Sequence, residues 1–220
     1  MTLAAHDLNV VIGAHTILDH VSLDCDPGTV TALTGASGSG KTTLLNCLGL
    51  LSKPTSGTIS IDDKEATAWS DRQRRRFWAS KAAFIYQDYG IIEEETVLYN
   101  VTLTPPGIFR HRPRPTPTTT SILETVGLSG REGDSSAVLS GGEKQRVGIA
   151  RALYKKASYI FADEPTASLD AANRDHIIRL LKDAAHQGAC VIIATHDEYL
   201  VAQADSAVTL AKRTSFTRIP

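Results

Sequence analysis

Short apolar runs of strand length alternate along this chain with longer stretches in which apolar residues recur every three or four positions. Val10 to Ile12, Val21 to Cys25 and Val30 to Leu33 are runs of the first kind, and Asp26-Pro27-Gly28 between the last two is a turn signal, so an antiparallel layer is predicted near the N-terminus. Gly57 to Asp62 alternates polar and apolar residues like a further strand, and Ala82 to Tyr86, Tyr159 to Ala162 and Cys190 to Ala194 are continuous apolar runs. Between them, Leu44, Leu45, Leu48 and Leu51 fall on one helical face. So do Val147, Ala150, Leu153 and Tyr154 in the run from Gly142, and Ile177, Leu180, Leu181 and Ala184 in a helix that Gly188 ends. Apolar strands alternating with amphipathic helices predict a mostly parallel sheet, so the expected class is α/β with an antiparallel β layer attached.

Three stretches interrupt the pattern. Pro54 to Gly57 breaks the chain after the first helix. Pro105 to Pro117 holds five of the nine prolines, and each interior proline removes a helical donor, so an exposed basic loop or extended segment is expected, with helix resuming at Ser121 to Val126. Arg72-Gln73-Arg74-Arg75-Arg76 precedes Phe77 and Trp78 on a predicted helix, and reads as a solvated or partner-facing surface.

At 220 residues and 42% hydrophobic, the chain can bury one sizeable core, which predicts a single domain over 1–220 with subdomains. A net charge of −1 supplies no global basic field, so no nucleic-acid partner is expected. Cys25, Cys47 and Cys190 are widely scattered and form no C-x-x-C pair, which predicts buried free thiols in a reducing compartment. No basic leader and no membrane-spanning apolar run is present, so the expectation is a cytoplasmic protein whose membrane role comes through a partner.

Candidate chemistry centres on Gly35-Ala36-Ser37-Gly38-Ser39-Gly40-Lys41-Thr42, which fits G-x-x-x-x-G-K-[ST] between a predicted strand, Thr29 to Thr34, and a predicted helix. This is a phosphate-binding P-loop. Its glycines let backbone N–H groups curl round a polyphosphate at the positive end of the helix. Lys41 would reach the β- and γ-phosphates and the Thr42 hydroxyl would ligate Mg2+, with Thr43 completing the nucleotide contacts. Asp163 closes an apolar strand and is followed by Glu164, which places a carboxylate at the sheet edge where P-loop proteins hold the metal shell. A second glycine motif, Leu139-Ser140-Gly141-Gly142-Glu143, opens a helix and offers a further anion site.

Together these residues resemble the ATP-binding subunit of ABC transporters, over nearly the whole chain. LSGGEKQRVGIARAL looks like the family's signature motif, YIFADEP like its Walker B strand and Ala167-Ser168-Leu169-Asp170 like its D-loop. Gln87 stands where the family has its Q-loop glutamine, and His196 where it has the switch histidine. The resemblance implies a P-loop NTPase fold with a small α-helical subdomain at about 88–155, and ATP and Mg2+ as cofactors. It also implies a homodimer in which each ATP lies between one P-loop and the partner's Ser140, Gly141 and Gly142. Glu164 would polarise the attacking water and His196 would hold the γ-phosphate. Thr42, Gln87 and Asp163 would serve the metal, and Gln87 would relay nucleotide state to an integral membrane permease, which would hold the subunit on the inner face of the membrane.

Within the family, QDYGIIEEETVLYNV is most like the small subunits that serve macrolide-type exporters, lipoprotein release, cell-division permeases and bacteriocin or peptide export. The resemblance therefore implies an exporter ATPase, with a non-transport ATPase of cell-division type as the alternative. Three positions depart from the family's habit. Ile12 stands where an aromatic usually stacks on adenine, the proline-rich stretch replaces part of the helical subdomain, and Glu143 replaces the commoner glutamine.

Overall fold

Alternate residues of the central strands point to opposite faces of one sheet, and both faces are covered. The computed structural model describes residues 2–104, 114–167 and 169–211. In chain order the elements are β1 (Leu3–Ile12), β2 (His15–Cys25), β3 (Val30–Thr34), α1 (Lys41–Leu48), β4 (Ser56–Ile61), β5 (Lys64–Glu65), α2 (Asp71–Ser80) and β6 (Ala82–Ile85). After these come α3 (Val97–Thr102), α4 (Pro117–Thr125), α5 (Gly141–Lys155), β7 (Tyr159–Asp163), α6 (Ala171–His186), β8 (Cys190–Ala194), α7 (Glu198–Gln203) and β9 (Ser206–Thr209). Five parallel strands run in the order β6-β7-β8-β3-β9, and an antiparallel sheet runs β2-β1-β4-β5.

The parallel strands explain why their sequences are apolar without alternation. Ile160, Ala162, Val191 and Ile193 join a core with residues of α3, α5 and α6, whereas Tyr159, Phe161, Cys190, Ile192 and Ala194 join a second core with α1, β1, β2 and β4. A strand buried on both faces has no polar side to show. The α/β class with an attached antiparallel layer is thus observed, and Cys25, Cys47 and Cys190 are buried free thiols.

Several local expectations shift. Val30 to Leu33 looked like a member of the antiparallel layer but forms β3, the strand between β8 and β9 in the parallel sheet. The turn at Gly28 (φ 81°) leads from one sheet to the other, and a turn signal does not say which neighbour the next strand takes. Leu51 lies past the end of α1 and Tyr154 is on the open side of α5; both are exposed, because a helical face drawn from apolar residues alone overruns what the core can cover. Tyr86 likewise lies beyond β6 and is exposed.

The helix expected at Ser121 begins earlier, at Pro117. Thr116 is its N-cap and exchanges bonds with Thr119, and proline suits the first helical position because its missing N–H would have no intrahelical partner there. The rest of the proline-rich loop, 105–113, falls outside the described residues. In α2, Ser70 and Gln73 form a capping box; Arg72, Arg75 and Arg76 are exposed, and Arg74 pairs with Asp71.

Candidate active site

The parallel register places the candidate residues along one edge of the sheet. Asp163 is level with Ala194, and Ala194 with Leu33, so the residues that follow them (Glu164, Thr195 and His196, and the P-loop from Gly35) leave the sheet side by side. Ile85 pairs with Ala162, which brings Gln87 out at the same edge. In an open parallel sheet this C-terminal edge is where ligands bind.

The P-loop leaves β3 with Gly35, Gly38 and Gly40 all at positive φ (138°, 77° and 96°), a region costly for residues with a Cβ. Space is also short. A Cβ on Gly35 would lie 2.5 Å from the Leu210 carbonyl oxygen, and one on Gly40 would lie 2.8 Å from Cδ2 of Leu18. The loop is therefore wedged between the end of β9 and the antiparallel sheet. Ser39 N–H donates to the Ala36 carbonyl at 3.1 Å and closes it. Lys41, largely buried, donates from Nζ to the Gly35 and Ala36 carbonyls at 2.8 and 3.2 Å. Its ammonium is thus held over the concavity, where phosphate oxygens could replace the two carbonyls.

Thr42 Oγ1 donates to Asp163 Oδ1 at 3.2 Å. Burial pushes the Asp163 carboxyl above its usual range, with the neighbouring Glu164 adding to the effect, while Thr42 and Lys41 oppose it. A half-buried carboxylate destabilised in this way, beside a hydroxyl, fits a small hard cation that takes its remaining ligands from phosphates and water. Among the described residues no cluster of three His, Cys, Asp or Glu side chains is placed to hold a metal.

Glu164 sits at φ 46°, an uncommon left-handed conformation for a residue with a long side chain. Its N–H donates to the Ala194 carbonyl at 2.8 Å, so the turn is tied to the end of β8. Glu164 Oε1 lies 2.8 Å from His196 Nδ1. An ionised carboxylate only accepts, so Nδ1 carries the proton in this contact. The Glu164 side chain is mostly buried (14% exposed) and that of His196 is open (71%), so the histidine can swing toward a ligand while the carboxylate stays.

The glycine motif lies apart from this group. Ser140 caps α5: its Oγ accepts from Glu143 N–H at 3.3 Å, and Glu143 Oε2 accepts from Ser140 N–H at 2.8 Å and from Oγ at 2.9 Å. The Ser140 N–H bond holds the Glu143 carboxyl below its usual range, and Arg131 balances the charge through its bond from Nη1 to Oε1 at 2.8 Å. Glutamate therefore works here as a capping residue, and Arg131, which nothing in the spacing singled out, pairs with its charge. A Cβ on Gly141 would meet the Tyr89 hydroxyl at 2.6 Å and one on Gly142 the Asn173 side chain at 2.9 Å. No described hydrogen bond ties Ser140, Gly141 or Gly142 to the P-loop. The Gln87 side chain is exposed and makes none with any described residue. Ser168 of the D-loop falls outside the described residues.

A family model described as ABC transporter matches residues 18–167. The chain belongs to the ABC transporter family. It is 40% identical over 192 residues to the lipoprotein-releasing system ATP-binding protein LolD of Bordetella pertussis, covering 86% of this chain and 82% of that one. It is 38% identical over 201 residues to the macrolide export ATP-binding/permease protein MacB 1/2 of Paracoccus denitrificans, covering 90% of this chain but 30% of that protein. Among solved structures it superposes on a dimeric bacterial ABC transporter cassette with a TM-score of 0.82 at 30% identity, covering 95% and 94% of the two chains. A cassette bound to ADP and Pi in a post-hydrolysis state gives a TM-score of 0.81 at 31% identity, with 94% of both chains covered. The chain is an ATP-binding, ATP-hydrolysing member of the family with its P-loop NTPase fold.

Ile12 ends β1 just before a tight turn and is 60% exposed, so it could meet a base only with an aliphatic edge. ATP and GTP should therefore bind with similar affinity, and Ile12→Tyr should tighten ATP by at most the roughly 1 to 3 kcal/mol that stacking on an aromatic contributes in nucleic-acid sites. Titration of both nucleotides against both proteins checks this. A strong ATP preference in the parent that the substitution leaves alone would place base recognition elsewhere.

Proposed function

We propose that this ATPase drives an export-type membrane permease as a homodimer, with each ATP held between the P-loop of one copy and the Ser140-Gly141-Gly142 segment of the other. The observation that carries this reading is the division of the site. Lys41, Thr42, Asp163, Glu164 and His196 gather at one sheet edge, while Ser140 is exposed at a helix N-terminus and bonds to none of them. A helix start with small residues offers its N–H groups to an anion, and the P-loop offers its own to a polyphosphate. A second copy, turned head to tail, brings both surfaces onto one nucleotide. The dimeric cassette of the same fold supports this arrangement.

In this reading Lys41 and the P-loop N–H groups bind and neutralise the phosphates, and Thr42 and Asp163 hold Mg2+, joined by Gln87. When bound, the ion would supply positive charge to offset that of the phosphates. Glu164 aligns the attacking water and accepts its proton, and His196 turns from Oε1 of Glu164 to the γ-phosphate. Gln87, at the mouth of the helical subdomain (about 88–155), reports nucleotide state to the permease. Among the described residues no helix is long and apolar enough to cross a membrane. In this reading the permease holds the ATPase at the cytoplasmic face. The names of the relatives, one in lipoprotein release and one in macrolide export, favour export of a peptide, lipoprotein, drug or similar cargo. Affinity isolation of the tagged chain from detergent-solubilised membranes of its own host tests the coupling. A permease that co-purifies and changes the ATPase rate is expected, and a chain that stays in the soluble fraction with an unregulated rate would contradict it.

A further inference from the structure

Thr195, the residue after β8, is fully buried at the active-site edge, and its hydroxyl bonds on both sides. Asp197 N–H donates to Thr195 Oγ1 at 3.0 Å, which makes the hydroxyl an acceptor there and leaves its proton for Oε2 of Glu164, 3.1 Å away. The direction is fixed, because an ionised carboxylate has no proton to give. Asp197 is itself held. Its Oδ1 accepts from the N–H groups of Tyr199 and Leu200 at 3.0 and 3.4 Å as the N-cap of α7, and its Oδ2 accepts from the buried Thr166 hydroxyl at 3.0 Å. Thr166 stands two residues after Glu164, so the chain of bonds from Glu164 through Thr195 and Asp197 returns to the turn on which Glu164 sits. Glu164 is thereby clamped from both ends, at its carboxylate and at its backbone.

We propose that Thr195 is a positioning residue for Glu164, setting the orientation from which that carboxylate meets the attacking water. The inference rests on Glu164 being the group that aligns the water. With Oε2 bonded by the Thr195 hydroxyl, Oε1 is the oxygen left for exchange between His196 and water. Without the hydroxyl, Oε2 keeps only the long 3.4 Å contact from His196 N–H, and the carboxylate is free to rotate about its own side-chain bonds. Thr195 bonds to no P-loop atom among the described hydrogen bonds, so its effect should fall on the chemical step and not on binding.

Thr195→Val keeps the branched shape and removes the hydroxyl; Thr195→Ser keeps the hydroxyl and removes a methyl. With the whole chain in excess over ATP, at a concentration that binds all of it in the presence of Mg2+, single-turnover hydrolysis by Thr195→Val should fall on the order of 10- to 100-fold, as small misplacements of a catalytic group do, while ATP affinity stays unchanged. Thr195→Ser should restore most of the rate. In a Glu164→Gln background, Thr195→Val should cost little more, because two residues acting through one group do not add. Thermal melts set the assay temperature where every variant is folded, and Thr195→Ala serves in place of Val if the latter does not fold. A rate for Thr195→Val close to wild type, or an equal loss in both Glu164 backgrounds, would overturn the proposal. Wild-type turnover by Glu164→Gln alone would instead remove the reading of Glu164 on which it rests.

Discussion

Glu164→Gln should bind ATP as the parent does and lose most of its turnover. The substitution preserves size, and the amide oxygen can still accept from Thr195, so the buried half of the side chain keeps its packing. What it removes is the negative charge and proton-accepting power that the proposed function assigns to this side chain. General acid–base assistance commonly contributes ~10^2- to 10^4-fold, which sets the expected loss. The position argues for this role over a purely structural one. Glu164 sits in a left-handed conformation that costs about 1 to 3 kcal/mol and persists only where the surroundings enforce it, and strain of that kind collects where geometry serves function. Phosphate release under single-turnover conditions, with nucleotide affinity measured separately, checks it; hydrolysis at the parental rate would dismiss Glu164 as the base.

Lys41→Ala should fail earlier in the cycle. Its ammonium is held over the P-loop by two carbonyls, at 2.8 and 3.2 Å, ready to exchange them for phosphate oxygens. Hydrogen bonds to charged groups contribute about 1.5 to 3 kcal/mol each, so loss of the lysine should weaken ATP by roughly 10- to 150-fold even before effects on turnover. The fold should survive. The loop is also closed by Ser39 N–H to Ala36 and by Leu44 N–H to Gly40, neither of which needs the side chain. Fluorescent-nucleotide titration beside a thermal melt separates binding from stability, and unchanged ATP affinity would remove the P-loop assignment.

What could be read from the sequence follows from which constraints are local. The P-loop was legible because its glycines meet a backbone demand at fixed offsets: Gly35, Gly38 and Gly40 all adopt positive φ. The parallel strands were legible because burial on both faces leaves no polar residues in Tyr159 to Ala162 or Cys190 to Ala194. The partners of β3 were not, since a turn followed by a short apolar run looks the same whether the next strand joins its neighbour or another sheet. β9 escaped for a related reason. As an edge strand of four residues, mostly exposed, it has no apolar signature, yet the Leu210 carbonyl just beyond it is what forbids a side chain at Gly35. Thr195 and Arg131 carry no spacing signal at all. Their importance lies in side-chain bonds to Glu164 and Glu143 that only the folded chain brings within reach.

The division of the site between two copies is tested most directly by sedimentation of Glu164→Gln with millimolar ATP and Mg2+. With hydrolysis blocked, two ATP molecules should hold P-loop and Ser140 surfaces together, so this variant should sediment as a dimer with ATP and as a monomer without it. Adding Ser140→Arg places bulk and charge where the opposing phosphates dock and leaves the P-loop of the same chain intact. The double variant should bind ATP and remain monomeric. A Glu164→Gln protein that stays monomeric with ATP bound, or an ATP-dependent dimer that survives Ser140→Arg, would contradict the shared site.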